Sequence, residues 1–243
     1  MRAASGSGRP SAIFGLPARP VYDGAMTIAH PRGLLALGAI LLALAGCAGG
    51  ASTPTPAGAS PARPTAAAPL AAPVWQVGDW WVYEWTSGKE SGTKTIQVID
   101  VRDLSGVRYY VVRLGESEHF YTDALHWAAA VREGTVEARM VPAQPWFVWP
   151  LAPGARWIHQ GRFEHREGVV THDDRFAVIG PERVEVPAGR YEAIKLVRET
   201  NGRDSDEYWY APDVRWYARW LGRRGDSQFE ERLREYRPAP RPR

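Results

Sequence analysis

Cysteine is nearly absent: the chain of 243 residues has one, Cys47. That excludes an internal disulfide framework and any Cys-rich zinc or iron–sulfur site. A membrane-spanning hydrophobic run is also missing. The longest apolar stretch, residues 33–46 (GLLALGAILLALAG), has 14 residues, and a bilayer-spanning helix needs roughly 20. No sequence period of 20–50 residues is visible, which excludes a solenoid. The patterns GxSxG, HExxH, the P-loop and the dinucleotide glycine fingerprint are absent as well.

A working excess of positive charge is lacking too, although the chain is +3 overall. Residues 1–46 hold Arg2, Arg9, Arg19 and Arg32 against Asp23, so residues 47–243 carry 26 bases and 26 acids. With Arg63 and the C-terminal arginines set aside, residues 74–236 are net −4. A surface that tracks phosphates needs clustered positive charge, so no nucleic-acid partner is expected.

What the chain does have is tryptophan. All 11 Trp lie between Trp75 and Trp220. Much of the Gly and Pro lies outside that stretch. Inside it the hydrophobic pattern has period two. Trp81, Tyr83 and Trp85 alternate with Trp80, Val82 and Glu84; Val214, Trp216, Ala218 and Trp220 alternate with Arg215, Tyr217, Arg219 and Leu221. Such alternation marks half-buried antiparallel strands. Turn signals separate them, among them Ser87–Gly92, Pro187–Gly189, Asn201–Asp204 and Arg223–Asp226. The pattern predicts strands over 80–87, 93–102, 107–114, 117–122, 125–132, 135–141, 156–165, 169–179, 182–186, 190–200, 206–211, 214–221 and 227–236. Asp123–Glu133 is Ala-rich enough to rival this as a helix, but its REG turn favours a strand. The expected fold class is all-β: a single antiparallel, strongly twisted sheet curled into a half-open barrel or sandwich.

Chemistry-bearing clusters are few. His165, His172, Asp173 and Asp174 combine two imidazoles with two carboxylates, yet Asp173 and Asp174 point to opposite faces of a strand. Glu116, Glu118 and His119 form a second group, which would act on glycans only if two acids converged across a cleft. No catalytic residue, metal or cofactor is expected from these. The aromatic residues carry more information. Trp81, Tyr83, Trp85, Trp146, Trp149, Trp216 and Trp220 either fill a core, each indole N–H finding a partner, or line a groove for an apolar ligand. The Pro145–Pro150 stretch (PWFVWP) reads as a lid or an exposed patch.

Residues 33–46 follow Arg32, end in small residues and have the length of a signal-peptide core. They run into Leu44, Ala45, Gly46 and Cys47. These four residues resemble the bacterial lipoprotein signal, the lipobox. The resemblance implies cleavage before Cys47, a diacylglycerol on its thiol and acylation of the freed amine. Ala48, where an aspartate marks inner-membrane retention, resembles the outer-membrane class in a cell with two membranes. Residues 1–46 are thus expected to be a signal peptide whose true start is Met26. Residues 47–73, Ala- and Pro-rich, are expected to be a disordered tether. Residues 74–236 are the all-β domain, and 237–243 a disordered tail.

Three segments, Trp149–Trp157, Val184–Leu196 and Tyr208–Trp220, resemble a set of uncharacterised bacterial envelope lipoprotein domains. The resemblance implies a half-open barrel similar in shape to the lipoprotein carriers LolA and LolB, which shield an acyl chain. Taken together, these features lead to the expectation of a non-catalytic, lipid-anchored envelope protein facing the periplasm. Its partners would be the membrane through the anchor, and a lipid or an envelope protein. The alternatives are an accessory subunit with a filled core and an envelope glycan hydrolase.

Overall fold

The computed structural model describes residues 69–239. The expected signal peptide (residues 1–46), Cys47 and most of the expected tether lie outside these residues.

Twelve strands follow one another: β1 Trp80–Ser87, β2 Glu90–Leu104, β3 Val107–Leu114, β4 Ser117–Thr122, β5 Trp127–Arg132, β6 Thr135–Gln144, β7 Arg156–His165, β8 Gly168–Val186, β9 Gly189–Thr200, β10 Asp204–Ala211, β11 Trp216–Arg224 and β12 Ser227–Arg237. Each pairs antiparallel with its neighbours in sequence. β1 then pairs with β12, from Trp80↔Arg237 to Ser87↔Phe229, and the sheet closes into a barrel. The expected all-β antiparallel sheet is present. Its curl goes past half-open to full closure, which removes the two edge strands that an open sheet exposes.

The period-two pattern holds because one face of each strand points into the barrel. In β1, Trp81 and Tyr83 are fully buried while Val82 and Glu84 are half-buried. Residues 169–179 and 182–186, expected as two strands, form one, β8. A register shift between Val178 and Gly180 absorbs the irregularity and lets Pro181 sit in the strand opposite Ile194. Ala-rich residues 127–132 form a strand, because Ala129 and Ala130 are held between β4 and β6; packing overrides helix propensity here. The start predicted at residue 214 shifts as well. Pro212–Val214 is a short 3-10 turn, and β11 begins at Trp216. In the Pro187–Gly189 turn Gly189 has φ 134°, where a side chain would be strained. The tip of this hairpin reaches beyond its sheet neighbours: Ala188 N donates to Leu233 O at 3.0 Å.

An up-and-down meander places alternate turns at opposite ends. The β1–β2, β3–β4, β5–β6, β7–β8, β9–β10 and β11–β12 turns share one end, here the far end. The chain enters and leaves at the other, the entry end. Packing at the entry end begins earlier and ends later than the sequence boundaries: Leu70 exchanges two backbone hydrogen bonds with Leu151 (2.9 and 2.8 Å), and Ala239 N donates to the buried Asp79 carboxylate at 2.8 Å. Arg237 is still in β12. Leu70, within the stretch assigned to the tether, and Ala239, within that assigned to the tail, thus bond to the barrel.

Candidate functional site

The sequence points first to the aromatic residues. They meet in the interior and at the entry end. Trp146 stacks on Trp216 with centroids 5.7 Å apart, and Trp75 meets Trp216 edge-on at 4.8 Å. Trp81 donates its indole N–H to Val214 O (2.8 Å), Trp146 to Gln144 Oε1 (2.9 Å), Trp149 to Ala124 O (3.0 Å) and Trp220 to Asp206 Oδ1 (2.9 Å). The Tyr83 hydroxyl donates to Tyr217 O at 2.7 Å. Trp81, Tyr83, Trp146, Trp216 and Trp220 are buried, and Trp149 packs half-buried against them. Trp85 stands apart, half-buried at the far end of β1. Its ring lies over Gly92, where a Cβ would come within 2.9 Å of it.

These residues fill space rather than line it. The cavity among Lys94, His119, Tyr121, Trp146, Trp216 and Trp220 is about 10 Å³, room for a single water and far too small for an acyl chain. Around Trp81, Tyr83, Trp146, Trp149, Trp216 and Trp220 the rings pack on other rings, the arrangement of a filled core; Trp85 has no ring neighbour of this kind among the described residues. The Pro145–Pro150 segment is corrected too. Trp146 and Phe147 turn inward and are buried, so the segment is a plug, neither a lid nor an exposed patch. The prolines fix the backbone while the rings gain apolar contact.

The second concentration lies toward the far end, where strand alternation carries polar side chains inward. Lys94 Nζ meets Glu231 Oε1 at 2.5 Å, and Tyr217 OH donates to Glu231 Oε2 at 2.7 Å. Asp206 takes Arg198 on one side and Arg224 on the other, the latter at 2.8 and 3.0 Å. Burial alone would raise the Asp206 carboxyl, but the two guanidinium groups outweigh it and hold it below the ordinary carboxylate range. Burial likewise opposes the Arg198 charge, and Asp206 more than restores it. His119 is pushed down to about 3, first by burial and then by the Lys94 charge; the ring is neutral at pH 7 and its Nδ1 accepts from Trp127 Nε1 at 3.3 Å.

Asp174, fully buried, is the centre of a third group. Its Oδ2 faces Gln144 Nε2 (2.8 Å) and His159 Nδ1 (3.3 Å); its Oδ1 accepts from Thr200 Oγ1 (2.6 Å) and lies 3.7 Å from His172 Nδ1. Burial would raise this carboxyl as well, yet His159, His172, the Arg198 charge and Thr200 hold it well below its ordinary value. Of the four metal-like residues, only His172 and Asp174 come together. Asp173 points to the other face, its N–H donating to Asn201 Oδ1 at 2.9 Å, and His165 stacks on Phe163 at 5.2 Å. Among the described residues no group of three or more potential ligands is placed to hold a metal. Glu116, Glu118 and His119 diverge likewise: Glu116 pairs with Arg132 (3.1 Å), Glu118 with Arg102 (2.9 Å), and His119 points inward.

His159, Gln144, Thr200 and Arg198 were not singled out by sequence. The signal that finds them is register: His159 faces Asp174 across β7–β8, and Thr200 faces Asp174 across β8–β9. Pairing partners of this kind are not visible from local alternation.

No family model matches the chain, and no curated protein matches it. Among solved structures it is similar to a candidate exported protein with a YmcC-like fold from Bacteroides fragilis, at 13% identity and TM-score 0.43 over 70% of this chain and 100% of that one. It is similar to a candidate lipoprotein from Parabacteroides distasonis, at 12% identity and TM-score 0.40 over 70% and 100%. The hypothetical lipoprotein YmcC from Escherichia coli matches at 8% identity and TM-score 0.33 over 66% and 85%. With TM-scores below 0.5, these likenesses fix neither a family nor an activity.

Proposed function

We propose that this chain is a non-catalytic accessory protein of the bacterial cell envelope, held to a membrane by acyl chains on Cys47. The anchor rests on the sequence: an apolar run of signal-peptide length, small residues and then the only cysteine. Two or three acyl chains hold a protein stably, because each buried CH₂ contributes about 0.8 kcal/mol. Ala48 favours the periplasmic face of an outer membrane.

The observation that carries the accessory role is the filled barrel, with about 10 Å³ left among its central aromatic rings. A carrier of the LolA and LolB kind needs a concave apolar space for its cargo. This interior has rings there, seven of whose indole N–H groups are bonded to the protein's own acceptors. The absence of a catalytic role is supported by the pairing at the far end, where Glu231, Asp206 and Asp174 each face a cation or hydrogen-bond donors. A carboxylate so neutralised is a poor general acid or base at pH 7. The partner is therefore another envelope component met by the outer surface.

The test is a native mass spectrum of protein extracted in mild detergent, with radiolabelled palmitate feeding alongside. The expected result is a mass matching acylated protein with no further lipid, and label that disappears in Cys47→Ser. A stoichiometric extra lipid would overturn the filled-core role. Label persisting in Cys47→Ser would overturn the anchor.

A further inference from the structure

The wall of the barrel is not uniform. Register pairing between β6 and β7 covers only Ala138↔His165 to Val141↔Arg162. β7 continues for six residues toward the entry end, from Gly161 back to Arg156, still paired with β8. β6 continues through Pro142, which has no N–H to donate. Beyond Val141, side chains of β7 reach the carbonyls of the β6 side: His159 Nε2 to Pro142 O at 3.1 Å and Trp157 Nε1 to Pro145 O at 3.1 Å.

His159 is the unusual member of this seam. It is buried, and both ring nitrogens face acceptors, Pro142 O on one side and the Asp174 carboxylate on the other. A neutral imidazole has one N–H and can serve only one of them; the imidazolium serves both. The ring is also given room by design of the strand. A Cβ on Gly161 would come within 2.7 Å of His159 Cε1 and 3.2 Å of Met140 Sδ. Glycine at 161 is thus needed for the ring to lie where it bridges the strands.

We propose that His159 is a protonation-dependent latch on the β6–β7 seam: its imidazolium ties Pro142 of β6 to Asp174 of β8, and its neutral form releases one of the two. The seam is closed when His159 is charged and loosens as pH rises. The groups facing the latch are accounted for. From β8 come Asp174 and His172; from β9 Arg198 reaches Asp174. From the β4–β5 turn comes His126, lowered first by burial, with the His159 charge adding to that. From β6 come Gln144, whose amide donates to the same Asp174 oxygen, and uncharged Met140. The latch rests on the two direct contacts of the ring, 3.1 Å to Pro142 O and 3.3 Å to the Asp174 carboxylate. This latch stands whether or not Cys47 carries an anchor.

The experiment uses the full chain in detergent micelles. Nitrogen-15 shifts of the His159 ring are followed from pH 5 to 8, beside amide hydrogen exchange corrected for intrinsic rates. The expected result is an imidazolium at low pH, and exchange at residues 156–161 that rises about tenfold once the ring is neutral, the loss of a hydrogen bond to a charged group. β9–β10, fully paired by backbone, should show no such rise. His159→Gln, which donates but does not ionise, should remove the pH dependence. A ring that stays neutral down to pH 5, or seam exchange that tracks β9–β10, would overturn the latch. The ring shifts are read on the unaltered protein, so the test survives a variant that fails to fold.

Discussion

The two ends of the barrel are closed by different physics. At the entry end, Trp75, Trp146, Phe147 and Leu151 bury apolar rings and chains, and the polar edges find acceptors on the protein. At the far end the inward positions hold Lys94, Glu231, Asp174, Arg198 and Asp206, which offset one another's charge. Apolar closure depends on area and fit and is indifferent to pH. Charged closure is only as good as its pairing, because one partner left alone keeps its desolvation cost. The same strands run between both ends, so a single barrel combines an apolar plug with a charged mouth.

The contrast should break most plainly at the plug. Trp216→Ala removes the ring that Trp75, Trp146 and Phe147 pack against. It should cost about 4 kcal/mol in urea unfolding, with no change in the pH profile. A cost under about 1 kcal/mol would mean the plug is loosely packed.

Somewhat smaller is the effect of Asp206→Asn, about 3 kcal/mol, from leaving Arg198 and Arg224 without a carboxylate. Thermal unfolding at pH 7 measures it. A neutral outcome would show that both guanidinium groups find other partners.

The pH profile sharpens the comparison further. Asp174 and Asp206 lie below the ordinary carboxylate range when folded. The unfolded chain therefore takes up protons first, below about pH 4. Their stabilisation is present above that value and is lost as pH falls toward the folded values. His119 acts earlier. Unfolded it protonates from 6.5, folded only from about 3, so stability falls across that window by up to about 1.4 kcal/mol per pH unit. His119→Gln should flatten the slope between pH 6.5 and 4 and leave the lower limb. An unchanged slope would assign it to other groups.

The smallest effect is expected outside both closures. Arg183 and Glu192 form an exposed pair at 2.6 Å. Arg183→Ala should change stability by less than about 0.5 kcal/mol. A larger loss would show that the outer surface of the β8–β9 hairpin carries more of the fold than its exposure implies.

Much of the fold was legible in the chain. Alternation in Trp80–Trp85 and Val214–Leu221, with Gly- and Asp-rich turns between strands, reports a local steric fact: successive side chains on a strand leave on opposite sides. The interruption at Ile179–Pro181 was legible only as a break, because whether a strand ends or bulges there depends on its neighbours. The candidate site was less legible. Asp174 and His172 stood out by type, but His159 looks like any other strand residue until β7 is laid against β8. Trp146 and Phe147, between prolines, looked like surface; only the open end of a barrel in need of filling explains why they turn in.

Sequence by itself determined that this domain is antiparallel β and that its tryptophans are concentrated in the stretch that forms the strands. Those follow from composition and from a two-residue period. Tertiary structure alone decided that the sheet closes, that the rings meet one another instead of enclosing a groove, and that the inward charges pair. The reason is distance along the chain: Trp80 is paired in register with Arg237, and Tyr83 bonds to Tyr217 and Trp75 to Arg215. Contacts between such remote positions are set by register around a closed ring, which no local pattern encodes.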